Sequence, residues 1–356
     1  MTTELMHEDR WSEQNTTPSA IEAALRDMLR VRHAANEAYV PARVLNLVVV
    51  VDREWRGEIA NRLEDVGRYN ASRTVLCTVE AGRSTLDAHA SMAYPDDPSP
   101  GQPAVLTEGV EIAIGPQHLA ALDAIVDPVI VSELMTVVWA PHGHADAIDA
   151  LDRLAHVVLL DSSEDFEIGE ALARVSTLAE RAYVVDLSWL RSVPWRERVC
   201  ASFDPPAERP SLAKISAVTV RHHPESGAAA LMFLGWLASR LGWDPSRLVG
   251  RGDGMSGKLH ARRQDVAVTL QSEPRQSVPG LAGVTIETAD GGSIALDRGP
   301  GGLTAHRRLR DGRDSEWTVL GASRGEGGIL GEGVRQALLR DPTYRPAVEA
   351  AKAMLP

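Results

Sequence analysis

The sequence lacks any apolar run that could cross a bilayer. Its hydrophobic stretches, such as Leu47 to Val51, fall far short of the ~20 residues that a spanning helix needs. The opening MTTELMHEDRWSEQNTT is polar and acidic, without the basic start and apolar stretch of a secretory leader, and no secretion is expected. The expectation is a cytoplasmic protein with no membrane partner. Cysteine is scarce: Cys77 and Cys200 are the two present and neither has a C-x-x-C neighbour, which excludes a disulfide framework or a zinc ribbon and predicts two reduced core thiols. Basic charge is short as well. With 37 Lys and Arg against 49 Asp and Glu, the net charge is -12, so no basic face is available for nucleic acid. The deficit is uneven, since residues 1–205 hold 17 bases and 33 acids while residues 206–356 hold 20 and 16. Two folding units are expected, and 356 residues with 44% hydrophobic content can fill both cores.

The patterning that is present divides the same way. A helix is predicted from Thr17-Pro18, with Ser19 and Glu22 at capping-box spacing and Ile21, Leu25, Met28 and Leu29 as its apolar stripe. A fully buried strand (Val44–Val51), a helix (Arg53–Val66) and a second strand (Arg73–Val79) give a βαβ rhythm. Alternation at Leu86–Tyr94 and Val105–Ile114 adds antiparallel strands, so the first domain is predicted to be α/β with a mixed sheet. The proline-rich FDPPAERPSLA marks a boundary. Beyond it, an apolar helix (Ala228–Leu241) precedes short strands separated by Asp290-Gly291 and Asp311-Gly312 turns, then two closing helices. This predicts a smaller α+β domain with an antiparallel meander. The expected division is therefore a flexible stretch at 1–17, an N-terminal domain at 18–205 and a C-terminal domain at 206–356.

Two motifs invite chemistry. His142-Gly-His144-Ala-Asp146 follows a strand and resembles the opening of the H-x-H-x-D-H pattern with which metallo-β-lactamase-type hydrolases hold zinc, but Ala147 stands where the last His belongs. The alternative is a polar turn that places Asp146 near a helix N-terminus, where a carboxylate is favourable. GDGMSGKL, residues 252–259, matches G-x-x-x-x-G-K, yet Leu259 replaces the magnesium-binding Ser or Thr and a strand, not a helix, follows. The Arg-rich run AHRRLRDGR, residues 305–313, reads as a solvated hairpin that suits an acidic partner or a sugar phosphate.

The most distinctive stretch is DLSWLRSVPWRERVCASFD, residues 186–204. It resembles the D-L-x-W-x-R-x-x-P-W-R-x segment of OpcA, the glucose-6-phosphate dehydrogenase assembly protein family, through Asp186, Leu187, Trp189, Arg191, Pro194, Trp195 and Arg196. The likeness continues in order: RVLNLVVVVD, SRTVLCTVE with Arg73, VVWAP with Trp139, HVVLLDSS and LGWLASRLGW. The family's His-Pro before Ser-Arg is Asn70-Ala71 here, and prolines before the Trp strand are Ser132 and Met135.

The resemblance implies a non-catalytic partner of glucose-6-phosphate dehydrogenase. Such a protein promotes the enzyme's active oligomer and tunes NADPH supply in the oxidative pentose phosphate pathway. No cofactor is implied. Trp and Arg are favoured interface anchors, which nominates Asp186, Trp189, Arg191, Pro194, Trp195, Arg196, Arg73 and Trp139 as the contact, or as the platform beneath it with Asp186 paired to an Arg. Two rivals stand beside this reading. One is a metal-dependent hydrolase using His142, His144 and Asp146. The other is a sugar-phosphate or nucleotide sensor using Arg251, Lys258, Arg262 or Arg307.

Overall fold

The computed structural model describes residues 6–41, 43–67, 72–95, 104–164, 167–252, 254–299, 301–320 and 325–356. The chain opens with β1 (Met6–Glu13), α1 (Pro18–Ala35), β2 (Tyr39–Pro41), β3 (Leu45–Asp52), α2 (Arg56–Gly67), β4 (Ser72–Val79), β5 (Asp87–Pro95) and β6 (Ala104–Ile114). It continues through α3 (Leu122–Val126), β7 (Met135–Trp139), α4 (Ala145–Ala150), β8 (Val157–Leu160), α5 (Ile168–Leu178), β9 (Tyr183–Asp186), α6 (Leu187–Arg191) and α7 (Val193–Phe203). Then come β10 (Ile215–His222), α8 (Gly227–Leu241), β11 (Val249–Arg251), β12 (Gly254–His260), β13 (Asp265–Ser272), β14 (Leu281–Thr288), β15 (Ser293–Gly299), β16 (Gly302–Arg308), β17 (Asp314–Leu320), α9 (Gly325–Leu339) and α10 (Tyr344–Ala353). Among the described residues no helix is long and apolar enough to cross a membrane.

Two compact units interleave along the chain. Met1–Leu160, Arg181–Val185 and Glu326–Leu338 make the first, and Asp161–Glu180, Asp186–Gly325 and Leu339–Pro356 the second. Most of residues 161–205 thus cluster with the later part of the chain, because α5 and α6 lay their apolar faces on α8, and α5 also packs on α10. A single division at 205 does not describe this arrangement.

The first unit is built on a mixed sheet of order β1-β5-β6-β4-β3-β7-β8-β9, with β2 beside β6. Strands β6, β4, β3, β7 and β8 run parallel, and β5 and β1 are added antiparallel. Strand β3 is apolar almost throughout because helices cover such sheets on both faces: Leu47 to Val51 are fully buried. On α1 the predicted stripe holds, with Ile21 and Leu25 buried and Met28 and Leu29 packed against a cluster of Tyr39, Met92, Tyr94 and Leu106. The cap is Thr17, whose hydroxyl accepts from the Ala20 backbone N–H. Glu22 pairs with Arg26 instead of closing a box with Ser19. Residues 6–13, expected to lie outside the fold, pair with β5 over their whole length.

The second unit holds an eight-stranded sheet of order β11-β12-β13-β10-β14-β15-β16-β17. β10 is parallel to β13, and the other neighbours are antiparallel, including the meander β14 to β17. Helix α8, buried from Gly227 to Ala238, lies against β10 and β13 and against α10. The helices approach closely at Gly235, where an added Cβ would stand 2.2 Å from the Ala347 carbonyl oxygen. Any side chain larger than hydrogen would force α8 and α10 apart.

Candidate functional site

The Asp186–Arg196 segment lies in the second unit, and its side chains point inward. β9 ends on Asp186, which caps α6 by accepting from the Ser188 N–H at 2.9 Å. The same oxygen accepts from the Ser162 N–H at 3.1 Å, and the Tyr344 hydroxyl donates to the other at 3.0 Å. No Arg pairs with it in these bonds; Arg191 is instead bound to Asp161 at 2.6 Å. Trp189, 2% exposed, donates its indole N–H to Asp341 at 2.9 Å and carries the Arg196 guanidinium over its ring at 3.6 Å from the centroid. Arg196 also reaches Asp341 at 3.4 Å and the Ser192 hydroxyl at 3.1 Å. Pro194 stands in the first turn of α7, where its missing N–H costs nothing. Trp195 is buried with Val199 and Phe203 on the inner face of that helix.

The charges of this cluster are set by burial. It lowers the Arg196 pKa to about 10, against the attraction of Asp341. At Asp341 burial pushes upward, but bonds from Thr343 and Trp189 and the Arg196 charge outweigh it and hold the carboxyl below its usual range. Asp186 is pushed up to about 6, first by burial and then by the Asp161 charge, with the Ser162 and Tyr344 bonds opposing. A carboxyl raised in the folded state favours the protonated form. Its contribution is therefore harmless below about pH 4 and becomes destabilising as pH rises toward 6. An Asp186→Asn variant keeps a capping side chain and should gain on the parent by about 3 kcal/mol between about pH 4 and pH 7. Urea unfolding at both pH values measures this, and a gap that stays constant would show that Asp186 carries no such penalty.

In the first unit, Arg73 on β4 stands opposite Glu108 on β6. Its Nε donates to the carboxylate at 2.9 Å and its Nη1 to the Val129 carbonyl at 2.9 Å. Trp139 is buried at the end of β7. These two nominated residues are thus parts of a core, as are Asp186, Trp189, Trp195 and Arg196.

The loop after β7 does not gather a metal site. His142 stacks on Trp55 with ring centroids 4.2 Å apart, while His144 Nε2 lies 3.2 Å from Asp52. Asp146 sits in the first turn of α4, accepting from the Ala147 N–H. Among the described residues no group of three or more His, Cys, Asp and Glu is placed to hold a metal ion.

GDGMSGKL folds mainly as β12, with Asp253 outside the described residues. The geometry also speaks against a phosphate cradle, as the missing Ser or Thr and the following strand pattern did, because an added Cβ on Gly254 would lie 2.1 Å from the Leu270 carbonyl oxygen. This glycine admits the neighbouring strand, not a phosphate. Lys258 pairs with Asp265 at 3.7 Å, and Arg307 binds the Ser202 carbonyl. Their strands, β12 and β16, are five places apart in the sheet, roughly 24 Å at the usual strand spacing, so Lys258 and Arg307 do not converge on one small anion; the Arg251 side chain lies outside the described residues. Arg262 is exposed. Asn70 and Ala71 lie outside the described residues.

One thiol expectation is corrected. Cys77 is buried, but Cys200 is exposed, because the inward face of α7 is taken by Trp195, Arg196, Val199, Ser202 and Phe203 and residue 200 falls outside that helical stripe. The residues that close the Trp189 cluster, Asp341 and Tyr344, were missed in the sequence. The Asp341-Pro342-Thr343 turn signal could have drawn attention to the former, whose carboxylate accepts from the Thr343 N–H.

Comparison with known proteins also divides the chain in two. Residues 63–177 match the N-terminal domain, and residues 182–348 the C-terminal domain, of the family described as the glucose-6-phosphate dehydrogenase subunit. Curated relatives carry the name OxPP cycle protein OpcA. The protein from Synechococcus elongatus is 26% identical over 55% of this chain and 45% of its own length. That from Nostoc punctiforme is 31% identical over 50% of this chain and 37% of its own. The chain spans less than half the length of these relatives. Among solved structures, an oxidoreductase from Sinorhizobium meliloti aligns with 87% of this chain and 95% of its own at 11% identity and a TM-score of 0.47. An apo scyllo-inositol dehydrogenase from Lactobacillus casei aligns with 88% and 96% at 9% identity and a TM-score of 0.41. Likenesses this slight support no conclusion about this chain. The two family domains, by contrast, fall in order over most of its length, and the chain belongs to the OpcA family of glucose-6-phosphate dehydrogenase assembly proteins.

Proposed function

We propose that this protein is a cytoplasmic, non-catalytic assembly factor of glucose-6-phosphate dehydrogenase, and that it acts allosterically by favouring the enzyme's active oligomer. NADPH production in the oxidative pentose phosphate pathway would then follow its abundance. The observation that carries the reading is the ordered match of both halves to domains described as belonging to a subunit of that enzyme. An effector of this kind works only through tighter binding to the active arrangement than to the inactive one. The burial of the two Trp and of Arg196 inside the second unit is compatible with this segment serving as a platform and speaks against these side chains forming the contact themselves.

The test is dehydrogenase activity across glucose 6-phosphate concentrations, with and without this protein, beside size exclusion of the mixture. A shifted saturation curve together with co-elution is the expected result. Separate elution and superimposed curves would dispose of the assembly role.

A further inference from the structure

Alternation gives each strand of the second sheet one inward and one outward set of side chains. The inward set, with Val218, Val220, Val268 and Ile286, is buried, and the outward set is exposed or half-buried. Cross-strand register lines Val249, Ser256, Thr269, Thr219, Thr285 and Ala295 into one outward row over six neighbouring strands, β11 to β15 in sheet order. No member of the row is charged or longer than valine, and Val249 is 70% exposed. The row is a flat strip on which a second sheet can stack at the usual ~10 Å. Charges lie beside it, nearer the strand ends. Among the described outward side chains each Lys or Arg already has a carboxylate of the same face: Arg221 has Asp297, Lys258 has Asp265 at 3.7 Å and Arg308 has Asp314 at 3.0 Å. An uncharged centre inside a charged margin is the anatomy of a protein interface.

From this we infer that the outward face of the second sheet joins two copies of this chain about a two-fold axis, sheet against sheet. Because its cations are satisfied from within, the face demands no opposite charge from its occupant, and an identical face meets that condition. The area fits as well. Eight strands are roughly 34 Å across at the usual spacing and seven residues roughly 23 Å long, so each copy buries about 800 Å², the size of a standard stable interface. The charge left over is self-complementary. With His neutral, Lys258, Arg221 and Asp265 give β12, β13 and β10 a net +1, whereas Arg308 against Glu287, Asp297, Asp314 and Glu316 gives β14 to β17 a net -3. An axis along the strands between β10 and β14 lays each half over the opposite half of the other copy and sets Thr219 over Thr285. The sheets then run aligned, as in a β-sandwich, and an isologous contact closes on itself as a dimer instead of growing into a filament. The inference concerns this chain alone and stands apart from any role with the dehydrogenase.

The experiment is sedimentation equilibrium of the full chain from about 1 to 100 µM. The parent should approach twice the 38.4 kDa of one chain. Thr219→Lys and Thr285→Glu each place a charge in the uncharged centre, and each alone should weaken the dimer at least about 30-fold. An equimolar mixture of the two should dimerise again, because the axis brings one substitution over the other. That recovery guards against a folding defect, since an unfolded variant cannot be rescued by its counterpart. Val31→Lys, at a position 58% exposed on α1 of the first unit, should leave the dimer within about twofold. A parent that stays monomeric throughout would overturn the inference and leave the face to a different protein. Variants that dimerise as the parent does would overturn it too, and a mixture that stays monomeric would overturn the two-fold arrangement.

Discussion

Replacing Glu108 with Ala is expected to destabilise the first unit by about 3–5 kcal/mol, the range for removing one member of a buried ion pair. Glu108 is 1% exposed and is shared by two guanidiniums, Arg73 at 2.9 Å and Arg43 at 2.8 Å. Burial raises its pKa, but the bonds from Arg43 and Arg73 outweigh that and hold the carboxyl below its usual range. A depressed carboxyl contributes stability above its unfolded pKa and loses it as pH falls, so the parent should weaken below about pH 4 through this group. Arg73, its side chain 8% exposed, would lose its carboxylate partner and keep the Val129 carbonyl. Urea unfolding at neutral pH gives the loss directly. A change below about 1 kcal/mol would mean that Arg73 finds another anion, and the pair would then be ornament.

Trp189→Ala is the second large effect, about 3–5 kcal/mol for emptying a buried aromatic site. Three interactions disappear together: the indole bond to Asp341, the tilted contact with the Tyr344 ring at 5.4 Å, and the stack under Arg196. Trp189→Phe separates packing from polarity. It retains a ring for Arg196 and Tyr344 but leaves Asp341 without the indole donor, at a cost of about 1–3 kcal/mol. Thermal unfolding of the two variants, read beside dehydrogenase binding, distinguishes a platform from a contact. A platform residue lowers stability in both and affects binding only as the unit loosens. Were Trp189→Ala as stable as the parent yet unable to bind, Trp189 would be touching the enzyme.

The parts of the fold that could be read from the sequence are those whose burial pattern is local. Leu47 to Val51 is buried on both faces and has no alternation, and β13 alternates strictly between Val266, Val268 and Leu270 inside and Ala267 and Thr269 outside. Both patterns survive without knowledge of neighbours. The N-terminal strand was illegible because residues 6–13 are half charged and owe their form to the backbone of β5, which no property of their own reveals. β12 was obscured by its glycines: Gly254 and Gly257 look like a loop in sequence and are close-packing positions in the sheet. The Asp186–Arg196 segment was legible as a place of unusual residue types, but their direction was not. Asp186 is separated from Tyr344 by 158 positions and Trp189 from Asp341 by 152, and local periodicity carries no information over such distances.

That separation also orders events during synthesis. When Asp186 leaves the ribosome its hydroxyl donor is 158 residues away, roughly 8–30 s at ordinary elongation rates. Until residues 341–344 arrive, the Asp186 carboxyl lacks the Tyr344 hydroxyl and the Trp189 indole and Arg196 guanidinium lack Asp341, and until α10 follows, α8 has no helix to meet at Gly235. The nascent second unit thus stays open until the stretch from Asp341 through α10 has been made.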